Sequence, residues 1–359
     1  AVDLLVAGPP CPPWSALGRR EGSEDKRAEV FWKVIDIIGN LARRPGQDAL
    51  QCFILENVEG ILKEDAHHRR GIDEVERRLK EVTPTFVMKV LTVNSRNYSL
   101  PQNRPRVYIV GVRRDLLNPG RSICKPRLHP PSPPFSEWMV PVNQASPELF
   151  KVPERLRTKK RKWDQELEEL DASSQPGWGW RVACADIERD TDKQWASKVK
   201  RDGYVGTFTT QAKVWCWIRR NWLIPGSSRD IHPPAPPVDD AEQRYLMPIE
   251  ALAMQGFPTK DPLLTEALRG LTDADVLMGA GNAMSVPMIG SILADVFTKA
   301  DLGGLAPVSV PGAEPVARRG VVVVEDSPES VLEEENASSA VDAAAAARMS
   351  AAATARMSS

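Results

Sequence analysis

Histidine is scarce in this chain of 359 residues: only four are present, His67, His68, His129 and His232. His67 and His68 are neighbours on an expected helix and so do not share a face. His129 and His232 each precede Pro-Pro. No ligand spacing is met, which argues against a histidine-built metal site. The five cysteines (Cys11, Cys52, Cys124, Cys184, Cys216) are odd in number and contain no Cys-x-x-Cys pair. Zinc is therefore not expected, no metal is assigned, and a reducing compartment fits. No run of about 18 apolar residues occurs, so no membrane-spanning helix is expected. No basic-then-apolar leader opens the chain. The first residue is Ala rather than Met, and the sequence reads as part of a longer one.

Charge is unevenly spread. The formal net charge is −1, yet residues 113–224 hold 21 Lys or Arg against 14 Asp or Glu. The tail from Gly303 holds four against eight. A basic middle points to an anionic partner for that segment.

Along the chain, Val2–Ala7, Cys52–Leu55, Phe86–Val93 and Val107–Val112 read as buried strands. Ala28–Leu41 and Ile72–Val82 read as helices between them. That alternation predicts an α/β domain over 1–112 with a largely parallel sheet. Residues 113–245 break the pattern with proline-rich joints and hold eight of the ten tryptophans. They read as a small, irregular, mostly β domain, with most tryptophans in its core. The basic run Arg155–Trp163 suits DNA backbone or nuclear import, or a helix start paired at i,i+4 with the acids that follow. Residues 246–302 return to helix. Residues 303–359 are rich in Ala, Ser, Pro and Glu and are expected to stay disordered. Within them, Val321–Ser330 resembles a SUMO-interacting motif, which adds a strand to a partner sheet. A short sticky run is the plainer reading.

Four segments carry candidate chemistry. In "GPPCPPWS", prolines stiffen a turn at the carboxyl end of a strand and present Cys11 there. A thiolate at such a place is a nucleophile, and a buried thiol is the alternative. In "FILENVEGIL", Glu56 at the strand tip shares the crevice, and Asn57 can hold a backbone loop. In "SLPQNRPRVYIVGV", Gln102 precedes Arg104 and Arg106, two guanidiniums on one strand face that suit a phosphate or a base carbonyl. In "GAGNAMSVP", Gly279, Gly281 and Asn282 read as a tight turn before a helix.

Taken in order, "GPPCPPWS", "ENV", "QNRPR", a variable region, "AMQGFP" and "GNAMSVP" resemble the C5-cytosine DNA methyltransferases over residues 2–299. The resemblance implies a partial Rossmann-like S-adenosylmethionine-dependent methyltransferase domain with a small target-recognition domain at 113–245. It implies that Cys11 attacks C6 of a cytosine flipped from duplex DNA. Glu56 would bind the exocyclic amine and protonate N3. Arg106 would reach the base carbonyl, and Arg104 the neighbouring backbone. Asn57 would brace the Pro-Cys loop, with Gln102 and Pro10 in support. Pro10 and Asn282 would touch the methyl donor, S-adenosylmethionine. Trp14 and Ser15 would lie on a mobile loop that closes over DNA. A eukaryotic source would place the protein in the nucleus, and otherwise in the cytoplasm. The tRNA-directed branch and an inactive nucleic-acid-binding fragment are the alternatives. Pro12 stands where the family usually has Gln. The resemblance also implies a missing first strand, which in the family lies beside Val2–Ala7, so the outer edge of Val2–Ala7 is expected to be bare. The family's Phe-x-Gly-x-Gly loop is absent, so the 359 residues alone are expected to be inactive.

Overall fold

A computed structural model describes residues 2–15, 22, 25–65, 68–133, 135–140, 147–172, 182–188, 199–200, 204–207, 213–218, 242–302 and 322–325. A first sheet has the order β3-β4-β2-β1-β8, from β1 (Leu4–Gly8), β2 (Cys52–Val58), β3 (Phe86–Asn94), β4 (Pro105–Arg113) and β8 (Val322–Glu325). It is mixed rather than largely parallel. β1 pairs in parallel with β2 and β8, while β4 pairs antiparallel with β2 and β3. The reason is the connection: no crossover helix separates β3 from β4, so the chain must double back.

Side chains alternate between the two faces of this sheet. Leu5 and Ala7 of β1, with Phe53 and Leu55 of β2, pack against α1 (Ala28–Ala42) and α2 (Gly71–Val82). Phe31, Val34, Ile35 and Ile38 form the buried stripe of α1 at helical spacing. On the other face, Leu4 and Val6 with Cys52 and Ile54 meet Met288, Ile292 and Val296 of α7 (Val286–Lys299). Buried on both faces, β2 reads as a continuous apolar run up to Glu56.

A second, three-stranded sheet of β5 (Val182–Asp186), β6 (Val214–Ile218) and β7 (Glu242–Tyr245) is antiparallel throughout. One face packs Trp215 and Trp217 with Trp163 of α3 (Glu154–Ala172). The other face packs Cys184, Cys216 and Ile218 with α4 (Pro248–Ala253), α5 (Pro262–Ala267) and α6 (Asp273–Asn282). Among the described residues of 113–245, a 19-residue helix covers this sheet. The basic run lies on that helix and pairs internally, Lys160 with Asp164 at 2.8 Å and Arg157 with Glu154 at 2.6 Å. Trp178, Trp180, Trp195 and Trp222 lie outside the described residues.

The stretch Asp273–Lys299 is apolar enough by composition to cross a membrane. Residues 283–285 interrupt it, and α7 packs Met288, Ile292 and Val296 into the core.

The tail also departs from expectation. Val322–Glu325 forms β8 and pairs with the outer edge of β1, Leu5 opposite Val322 and Gly8 opposite Glu325. Four β-branched or strand-compatible residues meet an apolar edge that would otherwise expose its backbone groups. The expected bare edge is covered by this chain itself. The rest of 303–359 lies outside the described residues.

Candidate active site

The Pro9-Pro10-Cys11 segment leaves the carboxyl end of β1, where ligand crevices of α/β sheets form. The Trp14 amide donates to the Cys11 carbonyl at 3.0 Å and closes a tight turn. Asn57 Nδ2 donates to the Pro9 carbonyl at 3.0 Å, so the neighbouring strand braces the loop. Cys11 reaches solvent. Burial around its sulfur still pushes the thiol above its ordinary value; Arg106 pulls it down, Glu56 pushes it up and Arg104 pulls it down.

Glu56 and Asn57 lie within β2 rather than on a loop beyond it. The strand continues because Val58 still pairs with Arg106 of β4. That register sets Glu56 and Arg106 side by side, with Arg106 Nε 2.7 Å from Glu56 Oε1. Both side chains are about nine-tenths covered, at 10% and 11% exposure. The contact is an ion pair without a formed hydrogen bond at Oε1.

Arg104 immediately precedes β4. It is buried, and its Nη2 donates to the carbonyls of Gly281 and Ala283, each at 3.0 Å. Gln255 Nε2 donates to the Ala280 carbonyl at 2.8 Å. The end of α6 therefore has its orphan carbonyls satisfied by side chains from two distant segments. Gly279 to Asn282 is the last turn of α6, not a free turn. Asn282 is exposed and Pro10 is buried. Gly256, at φ +88°, lets the chain after α4 approach α7: a Cβ there would lie 2.4 Å from Pro287 Cδ.

Trp14 is buried in the core in this structure. It is 3% exposed, and its ring meets Phe31 edge-on at 5.3 Å. Gly60 and Gly71 are needed for its fit, since Cβ atoms there would fall 1.9 Å from its carbonyl oxygen and 2.2 Å from its indole nitrogen. A ring that large is worth more buried against α1 than in water. Ser15 is half-buried beside it, and residues 16–21 lie outside the described residues.

Sequence reasoning missed three contributors. Gln255 ties α4 to the ends of α6 and α7, with Ser285 Oγ donating to its Oε1 at 2.8 Å. Tyr108 stands opposite Glu56 in the ladder, and its hydroxyl has no partner among the described residues. Met284 closes on Gly8, where a Cβ would lie 3.3 Å from its Cε. A phenol inside a buried apolar strand was the available signal for Tyr108; the other two depend on contacts across the fold. Gln102 is fully buried, and its amide nitrogen and oxygen also lack partners among the described residues. Buried groups left unpaired are costly, and the Tyr108 hydroxyl is one that lies near Glu56, Arg104 and Arg106.

A strand-end thiol thus stands beside a buried carboxylate–guanidinium pair at the edge of an α/β sheet. The chain belongs to the C-5 cytosine-specific DNA methylase family, whose model matches residues 1–298. It is similar to the type II methyltransferase M.HpaII of Haemophilus parainfluenzae, 39% identical over 112 residues, 31% of this chain and 29% of that protein. It is similar to the orphan methyltransferase M.Rho11sI of Bacillus phage rho11s, 36% identical over 115 residues, 32% of this chain and 21% of that protein. The chain thus spans less than a third of the curated relatives it matches. Among solved structures, a Spodoptera frugiperda DNMT2 mutant aligns with a TM-score of 0.49 at 17% identity, over 82% of this chain and 80% of that one.

The family takes its methyl group from S-adenosylmethionine. Pro10 is buried and Asn282 exposed on another element. Gln102 and Tyr108, whose buried side-chain polar atoms lack partners among the described residues, come from the segment of the two arginines. No group of three or more His, Cys, Asp or Glu among the described residues could hold a metal ion.

Proposed function

We propose that the protein methylates C5 of cytosine in DNA, with Cys11 as the nucleophile. The observation that carries this reading is the convergence of Glu56, Arg106 and Arg104 on the Cys11 thiol. The Cys11 thiolate adds to C6 of the flipped base, forming the S–C6 bond. The displaced electron pair runs toward N3, which takes a proton from Glu56. In the free protein Arg106 holds Glu56 through the 2.7 Å contact. An entering base offers its carbonyl to Arg106, and this frees Glu56 to carry that proton. Arg104 acts as a positioning residue by holding the end of α6 against the crevice. S-adenosylmethionine supplies the methyl group in this family. Release of Cys11 restores the C5–C6 double bond once C5 has lost its proton. A base must leave the helix to reach this crevice, which costs a few kcal/mol of unstacking, roughly.

The test is a trap that needs no donor. Duplex DNA carrying pyrimidin-2-one at the target position should give a denaturant-stable adduct with the full chain. Cys11→Ser should give none, and Cys52→Ser should give as much as the parent. An adduct that survives Cys11→Ser would overturn the assignment. A matched RNA stem-loop should trap less than the duplex; the reverse result would redirect the substrate from DNA to RNA.

A further inference from the structure

A second reactive cluster lies on the segment that leaves β4. Cys124 is exposed there. Lys299, in the last turn of α7, places its Nζ 2.6 Å from Cys124 Sγ. The same ammonium lies 2.7 Å from Asp295 Oδ1, one turn earlier on α7. Asp295 also accepts from the Cys124 amide at 3.4 Å, and its Oδ1 lies 3.7 Å from Sγ. Burial alone would pull the Lys299 ammonium down; its bonds to Asp295 and Cys124 outweigh that and hold it above its ordinary value. Cys124 is therefore not an isolated thiol. A cation and a carboxylate, each only 16% exposed, converge on it from one helix face. Of the other four thiols, Cys52, Cys184 and Cys216 are buried, and Cys11 belongs to the crevice.

The place matters as much as the chemistry. Asn118 donates to the Lys299 carbonyl at 2.9 Å, and Asp301 donates to the Leu116 carbonyl at 2.8 Å. The cluster thus sits where the chain passes from the first sheet toward the second.

We propose that Cys124 and Lys299 form a peroxide-responsive cross-linking site that staples this segment to α7. In the first step the Cys124 thiolate attacks one oxygen of hydrogen peroxide and the O–O bond breaks. The leaving hydroxide takes a proton from the Lys299 ammonium and departs as water. Sulfur is oxidised to a sulfenic acid, peroxide is reduced, and Lys299 is left as a neutral amine. In the second step that amine attacks the sulfenic sulfur. The S–O bond breaks, an S–N bond forms, and a second water leaves with the amine's proton. Thiols restore the pair by attacking sulfur and returning the amine.

The experiment treats the purified full chain with hydrogen peroxide and maps peptides by mass spectrometry. The expected product is the Cys124 peptide joined to the Lys299 peptide, lighter by two hydrogens than the reduced pair, with tryptic cleavage after Lys299 lost. Dithiothreitol should reverse it. Lys299→Arg keeps the charge but cannot condense as a lysine does; it should stop at a sulfenic acid that dimedone captures. Matching thermal melts of parent and variant before treatment show that the fold is intact. Cys124 oxidised in the parent with Lys299 still free, or a Cys124 no faster to oxidise than Cys52, would overturn the proposal.

Discussion

The two sheets of this molecule both bury charge, and they do so in opposite ways. In the second sheet, Arg244 and Glu250 are fully buried and every carboxylate oxygen is used. Glu250 Oε1 accepts from Arg244 Nη2 and from the Val140 amide, both at 2.7 Å. Oε2 accepts from Arg244 Nη1 at 2.9 Å and from the Met247 amide at 2.8 Å. Among the described residues there, the buried side-chain polar atoms without a partner are the indole N–H groups of Trp163 and Trp215, single donors inside an apolar layer. At the carboxyl end of the first sheet, Glu56 and Arg106 make one contact, and the polar atoms of Gln102 and Tyr108 have no partner among the described residues. A saturated buried pair is structural. An unsaturated cluster that opens on solvent beside a thiol is kept for a ligand.

The largest effect should separate the two. Glu56→Gln removes the proton that N3 needs and should slow pyrimidinone adduct formation by about 10²–10⁴-fold. Its stability loss should be smaller than that of a break in the second sheet, because Arg106 keeps its bond to the Pro105 carbonyl and some solvent contact. Unchanged trapping kinetics would break the comparison from the catalytic side.

Next in size is Arg244→Leu. It strands a buried carboxylate and should cost about 3–5 kcal/mol in denaturant unfolding. Replacing both partners with apolar residues of similar volume should recover most of that loss. The single variant, held below its melting transition, should still trap DNA at Cys11. A loss of trapping without a loss of stability would mean that the second sheet feeds the crevice directly.

The smallest effect is a shift in titration. Burial holds the Cys11 thiol above its ordinary value, so iodoacetamide should modify it faster as pH rises, with a midpoint above the usual thiol value of about 8.5. Arg106 lowers that midpoint, so Arg106→Gln should move it further up. Glu56 raises it, so Glu56→Gln should move it down. Cys216, whose thiol burial pushes far up and which is closed off in the second sheet, should stay unmodified across the range. A Cys11 midpoint at or below that of a free thiol would contradict the desolvated crevice.

Much of this architecture is legible in the chain because its cause is local. The stripe Phe31, Val34, Ile35, Ile38 makes α1 wherever it stands, and an apolar run such as Cys52–Leu55 makes a buried strand. Pro9, Pro10 and Pro12 stiffen the approach to Cys11 by fixing backbone angles at those positions. The order of the motifs brought Cys11, Glu56, Arg104 and Arg106 together before any fold was known.

The rest was decided by pairing across the fold. Strand direction follows from the connection, so β3 and β4 turned the sheet mixed. The β2–β4 register set Arg106 against Glu56, and only the packed end of α6 gave Arg104 its carbonyl partners, Gly281 among them, 177 residues away. Trp14 looks like a loop residue until Phe31, Gly60 and Gly71 close around it. The valines of the tail look like a short sticky run until β1 offers an edge. Each of these depends on which backbone groups and apolar faces remain unsatisfied once the local elements have formed. That remainder belongs to the assembled fold and to no single segment of sequence.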